Sequence, residues 1–516
     1  MRNFQRKGFV MKQWTFATST AVAALMIGQA AFAEVTPEDI WQGWQDMSAT
    51  AGQTITAESA ERDGDTLVIT NMTIAMDDGD GGTMNGVIEE INMTDNGDGT
   101  VDITMSETYP ITITAKGVDG GKPTTINMVI TQKDMVLTAG GSADETSYDY
   151  STGQTDIAID ATEDGGAAPV FTGTIGLTNA AGGYVISGPA DAKAMESNVA
   201  AEAMTIALDG ADADAGSTFK MNASLADIAI DSAGMFLGTE AMANMGQALK
   251  DGFSTDVGLA YGALTMDIDV VEAGVPTKIA STATGGAVNI TIGADGLVYG
   301  ANSTGLAITM SGGQIPFPEL KVGFGEAAFN LVMPVMAGDA PAEFELLSKL
   351  VDFTISDEVW AMVDSTNQLP RDPATIIIDT KGTAKLTTDI MDEAAMAALG
   401  DAPPGELNSL DITEVRASFA GAELTGAGAF TFDNTDMTTF QGMPAPTGKI
   451  DLKLTGGNGL LDKLAAMGLV PEDQVGMVRM MSGMFTVPSS DGSDSMTSTV
   501  EFKDKALLIN GNAMPM

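Results

Sequence analysis

Residues 91–114 read INMTDNGDGTVDITMSETYPITIT, two alternating runs that meet at an acidic, glycine-rich turn, with a third run beyond it. Val101, Ile103 and Met105 alternate with Thr100, Asp102 and Thr104, and Ile111 and Ile113 alternate with Thr112 and Thr114. Successive side chains of a strand point to opposite faces, so each run carries one apolar and one polar face. Asp98-Gly99 is a strong hairpin signal, because glycine accepts the positive φ that tight turns need. The stretch therefore reads as strand, turn and strand, and its acids as turn chemistry.

The same grammar extends outward. From Leu67 to Met310 alternating segments such as Ile126/Met128/Ile130, Met266/Ile268/Val270 and Leu306/Ile308/Met310 are broken by Gly, Asp and Asn. In TLVITNMTIAM, residues 66–76, the apolar phase slips between Ile69 and Met72, which one extra residue near Asn71 explains as a β-bulge. Short strands at this spacing imply a large antiparallel sheet, without βαβ units. Helices are expected at TPEDIWQGWQDM, where Thr36 caps and Trp41 and Trp44 share a face, and at PAEFELLSKLVDF, EVWAMV, MDEAAMAALG and GLLDKLAAMGLVPEDQVGMVRMMSGMF. The expected fold is mainly β (α+β), a long antiparallel, curved sheet with a few packing helices, able to form a groove.

Arg2, Arg6, Lys7 and Lys12 precede an apolar stretch from Phe16 to Ile27 and the small-x-small pattern Ala31-Phe32-Ala33. This is the layout of a secretory signal peptide over residues 1–33, cleaved after Ala33, with Met1 or Met11 as the start. The stretch is shorter than the roughly 20 residues a span needs, so the mature chain is expected to lack a transmembrane anchor and to reside in the periplasm. Two regions are expected beyond it: 34–312, β-rich and opening with a helix, and 313–516, mixed β and α. The boundary falls near Gly312–Pro316.

The net charge is −46, and losing the four basic residues of the leader makes it −50. Such a field repels nucleic acid phosphates, so no nucleic acid partner is expected. Cysteine and histidine are both absent. That removes Ser-His-Asp triads, thiol nucleophiles, imidazole bases and His- or Cys-ligated zinc. A carboxylate-dependent glycosidase needs neither residue, but 70 acids make any chosen pair arbitrary.

VWAMVDSTNQLPRDPATIIIDTKG, GAGAFTFDN, GKIDLKLTGGNGLLDKLAAMGLV and the tail FKDKALLINGNAMPM resemble motifs of the alphaproteobacterial domain-of-unknown-function family 2125, and GDGTVDITMSETYPITIT is similar to that family's N-terminal half. The most specific element is Leu369-Pro370-Arg371-Asp372-Pro373. The resemblance runs through most of the mature chain and implies an exported, β-rich envelope protein with no established activity or catalytic residues. Broadly similar envelope proteins of the AsmA type build long curved sheets with an apolar groove.

Four candidate sites stand against simpler readings. Ser217-Thr218-Phe219-Lys220 matches the S-x-x-K of penicillin-recognising serine enzymes, but it lies in an alternating strand and no K-T-G or K-S-G follows. Asp77/Asp78/Asp80, Asp95/Asp98 and Asp209/Asp212/Asp214 are acidic turns with the oxygen ligands calcium takes, yet none completes an EF-hand loop. Met477, Met480, Met481 and Met484 occupy i, i+3, i+4 and i+7, which suits Cu(I) or the core stripe of an amphipathic helix, and the core is the simpler reading. Arg371 is a ligand-headgroup candidate whose structural alternative is a pairing with Asp372, Asp364 or a nearby carbonyl. No cofactor and no catalytic residue is expected. The leading expectation is a non-enzymatic periplasmic protein that binds lipid or another apolar ligand along its sheet. Its rivals are an envelope scaffold that pairs with a protein partner, an outer-membrane barrel, and a weak Ca²⁺ or Cu(I) binder.

Overall fold

The computed structural model describes residues 34–77, 82–116, 122–163, 166, 169–189, 192–212, 216–238, 241–313 and 315–514. The expected signal peptide with its cleavage site Ala33, and the acids Asp78, Asp80 and Asp214, lie outside the described residues. All strand pairings are antiparallel within one sheet, which confirms the mainly β fold. The hairpin that opens the sequence forms as read: Thr83–Asp95 pairs with Val101–Met105. Gly97 and Gly99 take φ of 71° and 87°, and Asp98 Oδ1 accepts from the Thr100 N–H at 3.1 Å and from its hydroxyl at 2.6 Å.

The chain runs back and forth through one ribbon of described strands that is not closed, most strands pairing with the next and a few shorter ones sharing a long neighbour. The first strands, Thr54–Thr56 and Ser59–Asp63, pair only with Thr66–Asp77, and the last, Asn512–Met514, only with Ala506–Ile509. An open ribbon of described strands is not a barrel. The sheet also runs on across residue 312, because Gly296–Gly312 is hydrogen-bonded to Leu320–Met333.

A crease runs lengthwise down this ribbon. Asn71, Asn179, Asp227, Gly305 and Asp352 each adopt a left-handed conformation, with φ between 46° and 58°, part-way along a strand. Where no strand carries such a kink, two shorter strands meet at the same level. Val101–Met105 gives way to Thr108–Ala115 opposite Glu89, and Ser254–Tyr261 gives way to Leu264–Glu272 opposite Asp227. Asn and Asp tolerate the left-handed region better than other side chains, and the facing strand supplies glycine where space is short. A Cβ on Gly262 would lie 3.0 Å from Asp227 Oδ2, and one on Gly325 would lie 3.1 Å from Asp352. The alternation slips at these crossings, with the register unbroken in the first three: Ile69 and Met72 share a face, as do Leu225 and Ile228, and Ser303 and Leu306, while beside Asp352 the pairing with Ala374–Leu386 also shifts register. The extra residue therefore always falls on the polar face. A bend is longer on its outside, so the sheet folds toward its apolar face, and the ribbon becomes a trough.

Six α-helices accompany it among the described residues: α1 (Pro37–Thr50), α2 (Met245–Lys250), α3 (Asp357–Val363), α4 (Glu393–Leu399), α5 (Gly457–Ala466) and α6 (Glu472–Phe485). α1 opens with a capping box, Thr36 accepting from the Asp39 N–H while Asp39 accepts from Thr36. It lays Ile40, Trp41 and Trp44 into the N-terminal end of the trough, against Leu67, Ile69, Ile91, Met93, Val101 and Ile103. This is the best-buried part of the molecule. α2 packs Leu249 with Phe253 and Val335 along one rim. The stretch PAEFELLSKLVDF departs from expectation: it is the strand Ala342–Ile355. Its Glu, Leu and Lys favour a helix, but Phe344, Leu346 and Leu350 also recur at even spacing. Pairing with strands on both sides then decides the conformation.

The chain exposes 30317 Å² of surface, against roughly 18,000 Å² for a compact protein of its mass. Residues outside the described set could contribute at most about 8,000 Å² even as free chain, so the excess belongs to the fold. A ribbon with an open trough accounts for it.

Candidate functional site

The register assigns every inward side chain along the trough. One row reads Ile111, Met128, Ile159, Gly173, Leu208, Met221, Ile268, Ile279, Met310 and Leu320, each paired with the next across neighbouring strands. On the opposite wall, across the crease, Val257, Ile290, Tyr299, Leu331 and Leu346 follow one another in the same way. From Glu145–Glu163 to Gly405–Phe419 the inward positions between the rims carry aliphatic, aromatic, small or hydroxyl side chains, and among the described residues the inward charges stand at strand ends, at Glu163, Lys193, Asp212 and Glu272. The charges lie outside. Lys220 pairs with Asp209 at 2.6 Å, Lys278 with Asp269 at 3.1 Å and Lys349 with Glu326 at 2.5 Å, all on the convex face.

Burial grades with depth. Ala180, Ala201 and Ile228 are buried along the bottom of the crease, where Leu177, Met204, Leu225 and Ile230 pack on them. The walls above are half-buried, each side chain touching its cross-strand neighbours, and near one rim Phe236, Ile292 and Leu297 also pack against α2. Exposure is greatest toward the C-terminal half. Val257, Ile290, Tyr299, Phe329, Leu346, Leu350, Ile376 and Ile378 are 37–52% exposed and form one contiguous patch. Tyr299 and Phe329 meet at 5.9 Å between ring centroids. Isolated exposed apolar side chains are ordinary, but a contiguous patch of this kind marks a surface for binding.

The closed end is aromatic. Tyr148 and Tyr184 stack at 4.5 Å, and the Trp44 indole N–H donates to the Tyr148 hydroxyl at 3.2 Å. Burial pushes the Tyr148 hydroxyl up to about 12 despite that donor. Burial also raises Tyr184, reinforced by the neighbouring Tyr148 and Tyr150. Both are neutral hydroxyls in an apolar plug.

The sequence candidates are scattered and away from the trough. Ser217 and Lys220 lie three residues apart on a strand, hence on opposite faces, and Lys220 is engaged by Asp209. No three acidic residues converge as a metal-holding group among the described residues, and Asp209, which pairs with Lys220, stands apart from any such group, as does Asp212. The α6 methionines are a correction to the core reading: Met477, Met480, Met481 and Met484 are 51–66% exposed, because α6 touches α5 and leaves that face uncovered. Arg371 pairs with Asp357 and with the side-chain carbonyl of Asn367, Oδ1 at 2.6 Å, not with Asp372. Asp364 is instead buried and accepts from the backbone N–H groups of Gln368, at 2.8 Å, and Leu369, at 2.7 Å, which holds its carboxyl below the usual range against the opposing effect of burial. That network fixes the Leu369–Pro373 loop, which is structural. The inward patch was not picked out residue by residue from the sequence. The signal was there in the paired slips of phase at Asn71 and Asp227, which together specify a crease.

Residues 306–511 match a bacterial family described as an uncharacterized protein conserved in bacteria, DUF2125. The motifs around Leu369–Pro373, 426–434 and 448–470 fall inside that match, while residues 91–114 lie outside it. No curated protein and no solved structure matches the chain. No described helix is long and apolar enough to cross a membrane.

Proposed function

We propose that this protein is a non-enzymatic component of the bacterial envelope, exported by its N-terminal leader, that binds lipid or another extended apolar molecule along the trough. The observation that carries the reading is the partition of charge. In a chain with 94 charged side chains, counted as 24 basic and 70 acidic, the concave face has none between its rims among the described residues and stays half-open to water. A fold gains nothing from leaving so much apolar surface uncovered, whereas a binding site needs it. Covering that surface stabilises a complex by roughly 25 cal/mol per Å², less the cost of ordering the ligand. Recognition is by shape and apolarity, without a fixed polar anchor inside.

Native mass spectrometry of the protein recovered without detergent from the cells that make it tests this directly. A reproducible adduct of lipid mass is expected. A bare polypeptide mass, together with no uptake of an apolar fluorophore by the folded protein, would overturn the reading and leave a scaffold.

A further inference from the structure

The trough has a closed end, an open length and a charged margin, and these three features define its ligand further. At the N-terminal end α1 already fills it, with Ile40 and Trp41 where a bound chain would otherwise lie. The open section begins beyond Tyr148 and runs from the strand Glu145–Glu163 to the strand Gly405–Phe419. Ten strand spacings separate these two, about 50 Å at about 4.8 Å each. A lipid chain spans about 15 Å, half the hydrocarbon thickness of a bilayer. The section is therefore some three chain lengths long. The floor carries Ala180, Ala201 and Ile228 on three adjacent strands at its start, and Phe324 and Phe353, 5.2 Å apart between ring centroids, line it further along.

The margin is acidic. Glu163, Glu272 and Glu319 end or precede strands along one rim, and along the other Asp339 precedes a strand, Glu393 opens α4 and Glu406 is the second residue of its strand, all exposed. Of the cations at the rims, Lys250 pairs with Asp389 at 2.6 Å, Lys321 with Glu319 at 2.8 Å and Arg371 with Asp357, while Lys193 donates to the Gly188 carbonyl at 2.9 Å and Lys385 stands opposite Glu406, so the acids outnumber the cations left to offset them. A headgroup projecting from the trough meets this rim.

We infer that the open section takes more than one diacyl lipid at a time, in file, and favours lipids whose headgroups carry no net negative charge. The inference rests on the lipid-binding reading and adds to it a stoichiometry and a headgroup class. An anionic headgroup would sit within a Debye length of several carboxylates, while a zwitterionic one presents its ammonium to them.

The experiment uses the full mature chain, incubated separately with vesicles of phosphatidylcholine and of phosphatidylglycerol, re-isolated, and weighed by native mass spectrometry. Two or more phosphatidylcholine molecules per chain are expected at saturation. Phosphatidylglycerol uptake should be about fivefold lower at low ionic strength, the gap closing near 1 M salt, where the Debye length falls to about 3 Å. The triple variant Glu163→Lys/Glu272→Lys/Glu319→Lys should raise phosphatidylglycerol uptake and leave phosphatidylcholine uptake nearly unchanged. Saturation at a single lipid overturns the stoichiometry. Equal uptake of both lipids, or no response of phosphatidylglycerol to the triple variant, overturns the headgroup preference. Uptake of neither lipid overturns the lipid-binding reading on which both depend.

Discussion

A carboxylate placed on the concave wall should abolish binding while leaving the fold intact, and the structure supplies a matched control. Ile290 is 41% exposed inside the trough, and Val129 is 40% exposed on the convex face, where it pairs with Ala158 and Pro110. Each is a β-branched residue in the middle of a strand, so Ile290→Glu and Val129→Glu carry similar losses of strand propensity, under about 1 kcal/mol. Only the first changes the trough. Fully burying an isoleucine is worth about 1.5–3 kcal/mol, and Ile290 has about two fifths of its surface left to cover, so a ligand gains about 0.6–1.2 kcal/mol there. Ile290→Glu forfeits that gain and places a charge beneath hydrocarbon, which costs several kcal/mol more unless the group takes up a proton. Lipid retention should fall at least about 100-fold, and the urea midpoint should match that of Val129→Glu. Ile378→Glu, on the same patch, should repeat the effect. Retention measured by native mass spectrometry beside a urea titration of each variant decides it. Undiminished lipid binding in Ile290→Glu and Ile378→Glu, with folding preserved, would refute the assignment of the concave face as the site.

Further outcomes follow from the plug, the crease and the exposed methionines. Ile69 is fully buried beneath α1, so Ile69→Ala should cost about 2–5 kcal/mol in urea unfolding, whereas Met480→Ala, on the uncovered face of α6, should change stability by less than about 0.5 kcal/mol. Asn71 has φ of 46°, so Asn71→Val should cost about 1–2 kcal/mol and Asn71→Gly almost nothing, as read from the same titration. Burial raises the Tyr148 hydroxyl to about 12, above the 10 of an exposed tyrosine, so the native state holds that proton more tightly than the unfolded chain. Stability from this group is complete below pH 10 and is lost as pH rises from 10 to 12, and Tyr148→Phe should flatten the fall of the urea midpoint across that window.

Much of this architecture could be read from the residues in order. Period-two alternation from Leu67 onward specified strands, Asp98-Gly99 specified the hairpin, and Thr36 with Asp39 specified where α1 begins. Where reading failed, tertiary structure outweighed local preference. Residues 342–355 have the composition of a helix, but a central place between two long strands satisfied their backbone as a strand. The α6 methionines have the spacing of a core stripe, and spacing alone cannot say whether a partner is present to cover them.

The trough itself lies between these cases. A slip of phase at Asn71 is visible in one strand and says only that a bulge is there. Its consequence comes from alignment, since Glu89, Asn179, Glu202, Asp227, Gly305 and Asp352 fall at the same level of successive strands once the register is known. One bulge kinks one strand, but a continuous line of them, each with its extra residue on the polar face, bends the whole sheet about a single axis. The same alternation that keeps charge off the inner face thus also determines which way the sheet folds. Apolarity and concavity arise together, and the half-open face they leave is the feature from which a binding role follows.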